Sequence, residues 1–231
     1  MNELAWSLPL TIGVYITYLF LQKKFKIALL NPLLLTSVTI IIVLLIGKIN
    51  YLHYSDGTSI ITYLIGPATV SLAIPLYEKL DMLKKHWKVI SVTIVSGVLA
   101  HALTILLITV LLGSSPEMVA TFIPKSVTTA IAKDISLSLG GNVSLTVVIV
   151  VLTGVLGAVI SPYMFKIFKI TEPIARGLSL GSSTHAVGTA KALELGDLDA
   201  SMSTLSLIIT GLVTVVTAPF IYDLILVFIN R

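Results

Sequence analysis

No cysteine occurs in the sequence, which excludes disulfides, thiolate metal sites and dithiol redox chemistry and leaves the redox compartment open. Charge is scarce as well. Asp, Glu, Lys and Arg make up 11% of the 231 residues, against about 25% in an ordinary soluble domain. With 56% hydrophobic residues and a mean hydropathy of +1.03, that scarcity excludes a soluble globular fold. Enzyme signatures are missing too. There is no G-x-x-x-x-G-K-S/T loop to cradle nucleotide phosphates, no histidine pair with a carboxylate at metal spacing, and no compelling Ser–His–Asp order. The sequence therefore predicts neither an enzyme nor a bound cofactor or metal, and any driving energy comes from an ion or substrate gradient. The basic residues lie in short segments between apolar runs, so the net charge of +4 reflects membrane topology and not a nucleic-acid surface.

What the chain does have is long apolar runs with no polar block between them large enough to bury a core of its own, which reads as a single integral-membrane domain over 1–231. A helix crossing about 30 Å of hydrocarbon needs about 20 apolar residues. Runs 4–21, 27–46, 89–112, 143–165 and 203–228 qualify, and a sixth, 60–76, is interrupted by Gly66-Pro67 and Pro75. The first has no small-residue cleavage site and its basic cluster follows it, so it is a retained span and not a signal peptide. Asn31 followed by Pro32 marks a helix start. Segments 22–26, 77–88 and 166–176 hold ten Lys or Arg, while 47–59, 113–117 and the C-terminus hold only Lys48 and Arg231. The positive-inside rule then puts the three basic loops in the cytoplasm and the N-terminus outside, for a multi-pass protein of the bacterial cytoplasmic membrane.

Two stretches, 118–140 and 174–196, cannot serve as full spans without reversing that pattern. Each is expected to enter and return as a pair of half-helices of about 10 residues, or ~15 Å, with its tip at the bilayer midplane. The first dips from outside and the second from the cytoplasm. Irregular backbone at that depth is tolerated only against protein or water, so an aqueous site is predicted there. The expected fold is thus an all-α polytopic membrane protein with about six transmembrane helices and two re-entrant hairpins. An internal repeat is also suggested, because 67–74 matches 124–131 at four identical positions, at an offset of 57 that superposes the span 89–112 on 143–165. One copy carries Thr69, Leu72 and Leu76 where the other carries Ser126, Thr129 and Lys133.

The polar residues of the two hairpins are the candidate site. A lysine facing lipid costs about 2.5–3.5 kcal/mol on insertion scales, so Lys125 is expected to face protein or water and, with Ser126, Thr128, Thr129 and half-helix N-termini, to hold a small anion. In the second hairpin Ser182, Ser183, Thr184, His185 and Thr189 lie between or beside Gly181 and Gly188, and His185 is read as ligand-contacting or proton-linked. Lys133 and Asp134 are balanced between such a role and pairing or snorkelling. His101, mid-span with no polar cluster around it, reads as a core residue. Gly154, Gly157, Ala158, Ser161 and Gly211 read as surfaces for close helix approach. Glu194, Asp197 and Asp199 read as a solvated cytoplasmic turn, and Asp223 as interfacial.

Several motifs resemble the LrgB/CidB family of bacterial membrane proteins: Ser7-Leu-Pro-Leu-Thr11, Leu29-Leu-Asn-Pro-Leu-Leu34, Ala73-Ile-Pro-Leu-Tyr77, Pro124-Lys-Ser-Val-Thr-Thr129, Ala175-Arg-Gly-Leu-Ser-Leu-Gly181 and Ser183-Thr-His-Ala-Val-Gly-Thr-Ala190. The resemblance covers essentially the whole chain. It departs at Ala130, where the family often has Pro, and at Thr184, where Ser commonly precedes the His. The resemblance implies two functions. One is antiholin-like regulation of murein hydrolase activity and lysis with a small LrgA/CidA-like membrane partner. The other is transport of small carboxylates, since the plastid relatives resemble glycolate/glycerate exchangers and bacterial members are associated with pyruvate. Two polar hairpins carrying lysines favour transport by alternating access, with Lys125→Ala or His185→Ala expected to abolish uptake while the protein still folds.

Overall fold

In a computed structural model, residues 4–25, 32–71 and 73–229 are described, and all regular structure among them is helical. Contacts divide the chain into two compact units, 1–70 and 71–231. The first holds α1 (Leu4–Phe25), α2 (Pro32–Ile46), α3 (Tyr51–Gly57) and most of α4 (Ser59–Ser71). Helix α2 starts at Pro32, whose missing N–H is harmless in the first turn; Asn31 and 27–30 of the expected second span lie outside the described residues. α1 packs against α2 and α3, with hydroxyl bonds from Tyr18 to Thr39 and from Thr11 to Tyr54, each 2.8 Å.

The second unit carries α5 (Ala73–Glu78), α6 (Leu80–Leu112), α7 (Pro116–Phe122), α8 (Thr129–Ser138), α9 (Val143–Ile167), α10 (Pro173–Leu195) and α11 (Asp197–Ile229). Helices α6, α9 and α11 are long and apolar enough to cross a membrane. α6 kinks at His86 and stops at Gly113, whose φ of 61° suits the left-handed cap. The expected run 60–76 is split between α4 and α5. Pro67 is inside α4, whereas its counterpart Pro124 lies in an irregular stretch, so the 57-residue repeat matches at the long helices α6 and α9 but not in local conformation at its motif. The side chains of Thr69, Leu72 and Leu76 lie outside the described residues.

Helices α7 and α8 are separated by a non-helical break at 123–128. Thr121 and Ser136, fifteen residues apart, converge on Thr146 of α9, whose hydroxyl lies 2.7 Å from Ser136 Oγ and 3.1 Å from the Thr121 carbonyl. That network closes the pair against α9. Helix α10 is continuous except at His185, where φ 44° and ψ −135° interrupt it. Its halves fold back on each other, since a Cβ on Gly188 would lie 2.6 Å from the Leu180 carbonyl, eight residues earlier. In a straight helix that separation is about 12 Å. Gly177 and Gly181 let the first half approach α11 so closely that a Cβ would strike the Asp199 and Ser203 carbonyls. Asp199 is not solvated. It is 2% exposed and takes a paired contact from Arg176, Nε to Oδ1 at 2.8 Å and Nη2 to Oδ2 at 3.0 Å. α11 begins at Asp197, which turns Asp199 toward α10 instead of into a loop.

Candidate functional site

The second unit encloses a cavity of about 360 Å³, at the small end of the range for ligand sites. Lys125 and Ser126 reach it from the α7–α8 break, and Ser182, Ser183 and Thr184 from the last turn of α10 before its own break. The two polar segments anticipated from sequence therefore converge on one space. α6 adds His101 and Thr104, α9 adds Thr153 and Gly157, and α11 adds Thr210, Thr214 and Thr217. Among the described residues, no Asp or Glu lines the cavity. Lys125 Nζ has neither a hydrogen-bond partner nor an ion pair among the described residues, so the cavity presents one uncompensated cation amid hydroxyls.

The hydroxyls fall into two chemical groups. Ser182, Ser183 and Thr184 donate to the carbonyls of Leu178, Ser179 and Leu180 at 2.9, 2.6 and 2.7 Å, and Thr104 and Thr217 do the same within their own helices. Their protons are committed to the backbone and their lone pairs are what they offer. Ser126, Thr153, Thr210 and Thr214 make no such bond, so they remain able to donate. A carboxylate needs donors, which Lys125 and this second group supply.

Four expected site residues lie off the cavity lining. Thr128 is the N-cap of α8 without a side-chain capping bond, and its Oγ1 is buried with no partner. Thr129 begins α8. Thr189 bonds Ser203 Oγ at 2.9 Å. His185 is 3% exposed, and its Nε2–H donates to the Val150 carbonyl at 3.0 Å. Gly154 makes room for that ring, since a Cβ there would lie 2.7 Å from its Cε1, and Gly157 likewise accommodates the Thr184 methyl. These glycines seat the tip of α10 on α9, a more specific task than general helix approach.

From sequence His101 reads as a core residue, and what that reading does not anticipate is its place on the cavity lining. Its Nε2 lies 2.7 Å from the Ile123 carbonyl, which can only accept, so Nε2 carries the proton and tethers the break that bears Lys125. No local signal in α6 could have revealed this, because its partners come from another element. The α11 threonines could have been found: 210, 214 and 217 repeat at i, i+4, i+7 and so share one helix face. In the first turn of α10, Arg176 is held further above its ordinary pKa by the hydrogen bond to Asp199.

A family model described as LrgB-like matches residues 11–224. An uncharacterised protein of Haemophilus influenzae is 38% identical over 220 residues, covering 95% of both chains. The protein YwbG of Bacillus subtilis is 36% identical over 215 residues, covering 93% of this chain and 96% of its own. A protein of Staphylococcus epidermidis named holin-like protein CidB is 34% identical over 222 residues, covering 95% and 97%. No solved structure matches.

Proposed function

The chain belongs to the LrgB-like family, and on that premise we propose that it is a membrane transport subunit carrying small monocarboxylates of the pyruvate, glycolate and glycerate class by alternating access. The observation that supports this reading is the cavity. An unpaired Lys125 ammonium and free hydroxyl donors surround a space without a single acidic side chain, which suits one small anion and rejects cations. In the bilayer, about six spans carry the chain, and the α7–α8 pair and α10 enter from opposite faces and return at their breaks. Their irregular backbone then lines water or protein, as the hydrocarbon requires. The N-terminus lies outside, the basic loops face the cytoplasm, and an LrgA/CidA-like membrane protein is the partner against which this subunit moves, elevator-fashion. Two structures of that complex with both breaks at the same membrane height would refute the elevator step.

The name holin-like protein CidB borne by a relative favours a second reading, an antiholin-like regulator of murein hydrolase activity and lysis. Counterflow in proteoliposomes holding the chain and its partner separates the two. Transport predicts saturable exchange of labelled glycolate or pyruvate that Lys125→Ala abolishes. Unsaturable release of dyes of any charge, with no carboxylate exchange, would overturn it in favour of the second.

A further inference from the structure

Ile123 caps the C-terminus of α7, so its carbonyl lacks the helical N–H four residues on that would otherwise pair with it. The break supplies no backbone substitute. Pro124 has no N–H to give, and the amides of Lys125 and Val127 are taken by the Phe122 and Pro124 carbonyls. Ile123 is 2% exposed, and a carbonyl buried to that degree is costly without a donor. His101 of α6 supplies one, through its Nε2–H at 2.7 Å.

A second donor lies close by. Lys125 is two residues further along the break, and Ile123, Lys125 and His101 all line the same cavity. Its ammonium has no partner among the described residues and rides on a flexible four-carbon stem. Lysines near a helix C-terminus commonly bond the last carbonyls of that helix, and an ammonium makes a stronger bond there than a neutral ring does. Without the imidazole, the break would cap itself with Lys125. A lysine so engaged offers an incoming anion one donor fewer, and its charge is drawn back onto the backbone.

Resting on the transport reading above, we propose that His101 is a positioning residue: by occupying the Ile123 carbonyl it keeps the Lys125 ammonium free in the cavity for a carboxylate. It acts through the break and not on the anion itself. What the role requires is an N–H donor at that point on α6, so a neutral side chain of similar reach can fill it.

The test pairs two measurements on the full chain in nanodiscs, equilibrium binding of labelled glycolate and thermal unfolding without ligand. His101→Leu is expected to weaken glycolate binding by about tenfold, the factor of one hydrogen bond that the lysine must give up to hold the anion. His101→Gln, whose amide N–H can serve the carbonyl, should bind as wild type does. In unfolding, Lys125 replaces the lost donor, so His101→Leu should lower the melting temperature little on its own and markedly more when combined with Lys125→Met. A ring that merely packs would give equal drops in the two backgrounds. Equal drops, unchanged glycolate binding in His101→Leu, or binding lost alike in His101→Gln overturns the assignment and leaves the transport reading standing. Failure of wild type to bind glycolate overturns that reading, and the unfolding comparison then still decides whether His101 holds Lys125 off the carbonyl.

Discussion

Two ionisable residues of the polar breaks, Lys125 and His185, have opposite roles in the structure although both sit in Gly/Ser/Thr-rich surroundings. Lys125 faces the cavity unpaired, so Lys125→Gln should lower carboxylate uptake by about ten- to hundredfold, the value of a charge-assisted hydrogen bond, with little change in melting temperature. Lys125→Arg should retain part of the activity. A fall in melting temperature that tracked the loss of uptake would show the lysine to be structural. His185 is buried, caps the Val150 carbonyl and holds φ 44°, a conformation that costs a non-glycine residue about 1–3 kcal/mol. His185→Ala leaves that carbonyl unpaired and keeps the strain. His185→Gly leaves it unpaired but removes the strain. Thermal unfolding should therefore rank wild type above His185→Gly and His185→Gly above His185→Ala. A reversed order of the two variants would mean that the strained backbone is not what the ring offsets.

Elements show what was legible in the sequence and what was not. Interruptions in 118–140 and 174–196 are expected because neither stretch can be a full span without reversing the charge pattern, and the structure breaks them at 123–128 and at His185. The joining of Lys125 with Ser182, Ser183 and Thr184 around one cavity is expected from a topology in which the two segments enter from opposite sides. Which hydroxyls donate was not legible, because that depends on rotamers set by α9 and α11. The same limit hid the burial of Asp199, which looked like part of an exposed acidic turn until α11 was seen to start at Asp197. At this scale the Arg176–Asp199 clamp gives an asymmetric prediction. The aspartate side chain is 3% exposed and the arginine 24%, so Arg176→Gln strands a buried charge, at a cost of about 3–5 kcal/mol. Asp199→Asn leaves an arginine that can turn to water and should cost markedly less. Equal losses in thermal unfolding of the two variants would show that burial does not govern this pair. Gly157→Ala sets a methyl against Thr184, and overpacking of that kind costs about 1–3 kcal/mol. It should lower uptake by displacing the tip of α10, and unchanged uptake would show that the tip tolerates movement.

At the scale of the whole molecule, the absence of cysteine becomes an experimental advantage, since single-cysteine variants need no background substitutions. On the orientation proposed above, which rests on ten basic residues against two in the other loops, position 2 is outside and Lys84 cytoplasmic. A membrane-impermeant maleimide should thus label Asn2→Cys in intact cells and Lys84→Cys only in inverted vesicles. Ser126→Cys and Ser183→Cys lie on different breaks but line the same cavity. One bound anion should slow labelling at both, by about tenfold at ten times its dissociation constant, as mass action requires. If alternating access operates, each of the two reacts from both faces of the membrane, because the cavity opens to one side at a time and the protein samples both states. Protection at only one of the two positions would mean that the cavity is not a shared site. Reaction of both from a single face, however long the exposure, would mean that the lining never changes sides, and a carrier built on it could not work.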